Sequence, residues 1–211
     1  MAAPDPDTVS SGTVDPEVQR ATAADAPRLK EVLAEAFHDD PVLGWLLPDA
    51  RKRHARLRRF FALELRHLAL PRGDVWTTGD FSGVAMVMPP GAWRVPLRAT
   101  LLEGSAFGLG LVRAARLGAT MEWRHARLVR QSHYYFRDIG VLPAMQGKGL
   151  GSALMRPTLE RCDRDGLPAY LEASSERSAV LYERLGFKLI HELRVAGSPP
   201  LRLMVRPPMA G

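Results

Sequence analysis

The stretch MQGKGLGSALM, residues 145–155, sets Gln146, Gly149 and Gly151 between the extended-looking run YYFRDIGVLP and an apolar helix. Glycines let a backbone approach a ligand with no Cβ in the way. A helix start adds unpaired N–H groups and the positive end of the helix dipole, both of which attract an anion. These residue types in this order point to a phosphate site made by the amides of Gln146, Gly147, Lys148, Gly149, Leu150, Gly151 and Ser152, with the Lys148 ammonium beside it. A tight strand-to-helix turn needing positive φ would use the same glycines. Two phosphate motifs are excluded by spacing. A Walker A loop requires Gly where Leu142 stands and Ser or Thr where Gly149 stands. A dinucleotide fingerprint requires a third Gly where Ser152 stands.

A site of this kind needs a strand before it and a helix after it. The pattern gives a strand over 133–141, a helix over about 149–165 and a strand in PAYLEAS. Pro157 falls inside that helix, where it removes one hydrogen bond and is expected to bend it. Upstream, EVQRATAAD reads as a short strand, followed by an Asp25-capped helix in which Leu29, Val32, Leu33 and Phe37 recur at helical spacing. HDDPVLGWLLPD, with prolines at both ends, reads as a loop with an apolar anchor. A second helix covers about 51–69, with Leu57, Phe60, Phe61, Leu65 and Leu68 as its apolar stripe. DVWTTGDFSGVAMVMPPG reads as a hairpin, and 95–130 as a glycine-loosened helical insertion. A short helix in ERSAVLYERLGF and the strands KLIHELRV and LRLMVRP complete the chain. Strand–helix–strand in the middle, with hairpins on either side, makes an α/β (α+β) fold. Its sheet is mixed and mostly antiparallel, flanked by helices, with one β-α-β crossover at the glycine turn.

The 211 residues, 46% of them hydrophobic and 25% charged, suit one globular domain over 17–211 behind a polar, Pro-rich tail at 1–16 expected to be disordered. The start has no basic-then-apolar leader and no run of 18 apolar residues occurs, so no membrane association is expected. The lone Cys162 fits a reducing cytoplasm and has no metal-ligand spacing around it. The net charge of +6 is spread from Arg51 to Arg206 without interleaved aromatics, which argues against nucleic acid as the partner.

GVLPAMQGKGLGSALM followed by SAVLYERLGFK closely resembles the GCN5-related N-acetyltransferase (GNAT) family over about 132–206. HYYFRDIGVLP, PAYLEASSERSAVLYERLGF, AFHDDPVLGWLLPD and GVAMVMPPG are similar to its puromycin N-acetyltransferase-like members. The resemblance implies acetyl-CoA as co-substrate, no metal, and a small-molecule primary amine as acceptor, an antibiotic or aminonucleoside among the candidates. It leaves a homodimer open. It implies that amides of residues 146–152 hold the pyrophosphate, and that backbone groups of Ile139 and Val141 bind pantetheine and polarise the acetyl carbonyl. Tyr182 would protonate the departing thiolate. Ser175 stands where the family commonly has an Asn that binds pantetheine; it would equally serve as the N-cap of the next helix. Glu172 alternates with Tyr170 and Ser174 on its strand and is the candidate general base, ahead of His133 and Asp138. Trp45, Trp93 and the insertion are expected to shape the acceptor pocket. The second reading is a catalytically silent acyl-CoA-binding sensor or partner-binding module.

Overall fold

The computed structural model describes residues 16–195 and 197–209. Of the expected tail, residues 1–15 lie outside the described residues. Seven strands form one sheet in the order β1-β2-β3-β4-β5-β7-β6. They are β1 (Val18–Arg20), β2 (Asp74–Thr78), β3 (Gly83–Met88), β4 (Tyr134–Val141), β5 (Ala169–Ala173), β6 (Lys188–Leu193) and β7 (Leu201–Arg206). Every neighbouring pair is antiparallel except β4–β5. That parallel pair is joined by helix α7 (Leu150–Asp165), which supplies the crossover.

One face of the sheet is covered by α1 (Ala26–Ala36) and α3 (Ala50–Glu64), whose Leu29, Leu33, Leu57 and Phe61 are buried against Val84, Met86, Met88, Tyr135 and Tyr170. A wide helical turn over 65–69 and the short α4 (Leu70–Arg72) continue α3. The other face is covered by α7 and α8 (Glu176–Arg184), with Met155, Leu159, Cys162 and Tyr182 packed on Val87, Phe136 and Leu171. The insertion is α5 (Leu97–Gly104) and α6 (Leu111–Leu128). Helix α7 runs unbroken through Pro157.

Two expectations need correction. HDDPVLGWLLPD contains a helix, α2 (Pro41–Leu46), because the Asp40 carboxylate caps it by accepting the N–H groups of Val42 and Leu43, both at 2.9 Å. Pro41 at the first helical position needs no N–H partner and starts the helix rather than preventing it. Asp25 does not cap α1. Its carboxylate turns back to the N–H and hydroxyl of Thr22, at 2.7 and 2.8 Å, and closes a preceding 3-10 turn.

Two irregularities position the site. The pairing of β4 with β3 steps from Asp138↔Met86 to Phe136↔Val87, so Arg137 is an extra residue in a β-bulge. The parallel pairing of β4 with β5 ends at Phe136↔Leu171, although β4 continues to Val141. The two strands therefore part in the middle of the sheet.

Candidate active site

The glycine turn leads from the end of β4 into α7. Gly147 and Gly149 have φ of 82° and 81°, the left-handed region that L side chains resist. A Cβ added at either would meet nothing of the protein within 4 Å, so the space in front of them is open. Gly151 differs: a Cβ there would stand 3.0 Å from Leu181 Cδ2 of α8, so this glycine lets two helices pack closely. The first helical bond of the turn runs from Ala153 N–H to Gly149 C=O at 3.0 Å, which leaves the N–H groups of residues 147–152 without acceptors among the described residues. Gln146 is bound inward: its side-chain amide donates to the Val141 carbonyl at 3.1 Å and ties the turn to the strand. Lys148 is exposed at the rim, with its ammonium 3.4 Å from Met145 Sδ.

On β4, the Leu142 N–H bonds the Ser82 carbonyl at 2.9 Å. Strand alternation then points the backbone groups of Gly140 and Asp138 at β3, and those of Ile139 and Val141 the other way. On that side β5 has parted from β4. The N–H groups of Ile139 and Val141 thus face the gap, in line with the glycine turn.

Tyr182 comes to this region from α8. It is 7% exposed, and its hydroxyl has no hydrogen-bond partner among the described residues. Burial, with the negative fields of Asp138 and Asp40, pushes the phenol above its ordinary value of 10, so it carries its proton at neutral pH. Ser175 caps α8: its Oγ accepts the Ser178 N–H at 3.1 Å and lies 2.9 Å from Ser178 Oγ.

The α1/α3 face of the gap carries carboxyl groups. Glu172 accepts the Tyr170 hydroxyl at 2.9 Å and also the hydroxyl of Tyr135; burial raises its pKa against those two hydrogen bonds. Ser174, on the same face, donates to Asp40, whose pKa is likewise raised by burial. Arg137 ion-pairs with Glu64 Oε1 and lies 3.5 Å from Glu103 Oε2. Asp138 lies opposite Met86, and burial together with the Glu64 charge pushes its pKa well up.

His133 is a structural residue. Its Nδ1 lies 2.8 Å from the Gln131 carbonyl and therefore carries the hydrogen, so its Nε2 accepts from His125 Nε2 at 2.7 Å. The His125 ring lies between Trp93 and Tyr170, with both centroids at 4.1 Å. Burial and the neighbouring imidazole push His125 down to about 3. Trp93 thus supports the pair from the side of a cavity of about 450 Å³ lined by Arg94, Arg130 and His133. Trp45 packs on the core with the Arg113 guanidinium over its ring.

Known proteins share this fold. Residues 109–189 match the family model described as the acetyltransferase (GNAT) domain. The chain is 30% identical over 213 residues to an uncharacterized N-acetyltransferase of Schizosaccharomyces pombe, covering 90% of this chain and 83% of that one. The chain belongs to the GNAT acetyltransferase family. A structure from Corynebacterium glutamicum, described as histone acetyltransferase HPA2 and related acetyltransferase, is 25% identical. It covers 93% of this chain and 98% of its own, with a TM-score of 0.68. A mosquito arylalkylamine N-acetyltransferase like 5b, 16% identical, shares the fold with a TM-score of 0.56 over 90% of this chain and 99% of the other.

The GNAT protein is an N-acetyltransferase, and GNAT enzymes use acetyl-CoA. Its free amides and the open space before Gly147 and Gly149 fit a pyrophosphate. The structure brings the turn, Ile139, Val141 and Tyr182 to one gap, and sets Glu172 on its α1/α3 side. Sequence reasoning missed Asp40, Glu64, Glu103, Arg137 and Tyr135. Glu64 had a signal: it shares the buried helical stripe of Leu57, Phe61 and Leu68. Asp40 before Pro41 is an N-cap signature. Glu103 and Arg137 carry none, because a bulge and an insertion bring them together.

Proposed function

We propose that this protein transfers the acetyl group of acetyl-CoA to a primary amine of a small molecule by direct attack within a ternary complex. The amides of residues 147–152 bind the pyrophosphate, with Gln146 bracing the turn and Lys148 adding charge at its rim. Acetyl-CoA supplies the activated acyl group. The Ile139 and Val141 edge of β4 binds pantetheine and directs N–H groups at the acetyl oxygen, where negative charge develops as the amine adds. Glu172, whose pKa burial raises, takes the proton from the incoming ammonium, and Tyr135 and Tyr170 hold its carboxylate in place. Tyr182 gives its proton to the departing thiolate. Ser175 contributes through the position of α8, which it caps.

The observation that carries this reading is the parting of β4 from β5. It leaves two strand amides in line with a helix start whose own amides are free, and brings a protonated phenol to the same gap. The buried Cys162 thiol, pushed up to about 12 by burial, is a poor nucleophile and favours direct transfer over an acyl-enzyme. The puromycin N-acetyltransferase-like resemblance makes aminonucleosides and antibiotics the first acceptors to assay. A cytoplasmic location accords with the lone buried cysteine. Among the described residues no helix is long and apolar enough to cross a membrane.

Tyr182→Phe tests the reading. Loss of a general acid is expected to lower kcat about 100-fold or more. Acetyl-CoA affinity should stay within about threefold, since the group acts on the leaving thiolate rather than on the bound ground state. Unchanged kcat would remove Tyr182 from the mechanism. Tight acetyl-CoA binding with no thiol release from any amine would favour the silent binding module.

A further inference from the structure

Building on the acetyl-transfer reading, we infer that the acceptor carries a second positive charge, and that Glu64, Glu103 and Asp138 form a subsite for the ammonium group that does not react. The three carboxyl groups come from separate elements. Glu64 is the last residue of α3, Glu103 lies in α5 of the insertion, and Asp138 follows the bulge on β4. Glu64 is fully buried and Glu103 is 6% exposed. Among the described residues Arg137 is the one cation that acts on both Glu103 and Asp138, so a single guanidinium faces three acids.

The hydrogen-bond inventory is incomplete in the same place. Arg137 satisfies Glu64 Oε1 and reaches Glu103 Oε2, while Glu64 Oε2 and Glu103 Oε1 find no donor among the described residues. Asp138 adds a third carboxyl, and burial with the Glu64 charge pushes its pKa well up. Buried carboxylates without a cation or donor are costly, and a core with no ligand to bind is better served by apolar side chains. In the free protein protons make up the deficit: burial and the Glu64 charge push Glu103 up to about 7.

Asp138 adjoins Ile139, whose N–H faces the gap, and its charge is felt at Tyr182. Glu172 lies on the same side and also feels Arg137, so four carboxyl groups share one guanidinium in a chain whose net charge is +6. One ammonium, the reacting one, satisfies the carboxylate nearest the gap and leaves Glu103 Oε1 without a partner. A second ammonium on the same molecule pairs with it and displaces the proton held there to solvent: carboxylic acid plus ammonium gives an ion pair plus H⁺. The acceptor class is therefore a diamine or a longer polycationic amine.

The test compares α,ω-diaminoalkanes of three to eight carbons with 1-aminobutane and puromycin, by thiol release from acetyl-CoA. The best diamine should exceed 1-aminobutane in kcat/KM by about 10- to 100-fold, the worth of a charge-assisted hydrogen bond away from bulk water. Glu103→Gln mimics the protonated acid and should fold; it should abolish most of that preference while leaving 1-aminobutane within about threefold, since only the distal contact is lost. Calorimetry of the CoA-loaded protein with 1,4-diaminobutane, in two buffers of different ionisation enthalpy near pH 7, should show proton release that the variant lacks. Equal rates for diamines and monoamines would overturn the subsite and leave the transferase standing. If no amine released thiol, the proposed function would fail. Calorimetry would then decide the subsite alone: diamine binding with proton release supports it, and absence of binding overturns it.

Discussion

Gly149→Asn separates two reasons for a glycine at the turn. Gly149 sits at φ 81° and ψ −5°, and a Cβ there touches no protein atom within 4 Å. If the glycine serves the turn alone, the only cost of a side chain is the left-handed conformation, about 1–2 kcal/mol for Ala and less for Asn, which visits this region readily. For a chain of this size that is a fall in Tm of about 2–4 °C per kcal/mol. If the open space receives a pyrophosphate, Asn obstructs the approach of the ligand to the amides as well. Losing one amide bond to a charged oxygen costs about 1.5–3 kcal/mol, or about 10- to 100-fold in affinity. Thermal unfolding of Gly149→Ala and Gly149→Asn, paired with acetyl-CoA titration calorimetry, gives both numbers. Expected is a smaller Tm loss for Asn than for Ala, together with an acetyl-CoA affinity at least about tenfold weaker in both. Wild-type affinity in a folded Gly149→Asn protein would refute the cradle.

Glu103→Gln and the histidine pair have opposite pH signatures. Glu103 is raised from 4.5 to about 7, so the folded state holds a proton that the unfolded state releases, and stability falls as pH rises from about 4.5 to 7. Removing that carboxyl is expected to raise stability at pH 8, by at most about 3–4 kcal/mol at 1.4 kcal/mol per unit, with no change below about pH 4.5. His125 is lowered from 6.5 to about 3, so its contribution is present above 6.5 and is lost as pH falls below it. The Tm of Glu103→Gln should therefore fall more steeply than wild type between pH 6.5 and 5, and a parallel fall would contradict both assignments. Gly151→Val crowds Leu181 of α8 and should cost about 1–3 kcal/mol, visible as a lower Tm, and should reduce kcat by displacing Tyr182; an unchanged Tm would show that the α7–α8 contact yields freely.

The cofactor half of the site was legible because it is built from backbone. Glycines that permit positive φ, the change from extended to helical periodicity after Pro143, and a following Tyr–Gly–Phe helix end all sit close together in sequence. The parting of β4 from β5 left no such trace: it is a property of two strands that a whole helix separates in sequence. The acceptor half was largely illegible for the same reason. Glu64, Glu103, Asp138 and Glu172 belong to four elements, and the bulge that turns Arg137 among them is invisible to a period-two reading. Glu172 was found by strand alternation, since Tyr170, Glu172 and Ser174 do share a face. Two prolines made α2 look like a loop, although Asp40–Pro41 is also a helix start.

The position of bound acetyl-CoA decides most directly whether the glycine turn is a pyrophosphate cradle. A crystal structure of the protein grown with excess acetyl-CoA should place the pyrophosphate oxygens within hydrogen-bonding distance, about 2.7–3.2 Å, of N–H groups between Gly147 and Ser152. The thioester should then lie against the Ile139–Val141 edge, with its sulfur near Tyr182. Density for the cofactor elsewhere, or a gap between β4 and β5 closed by the protein's own side chains, would contradict it.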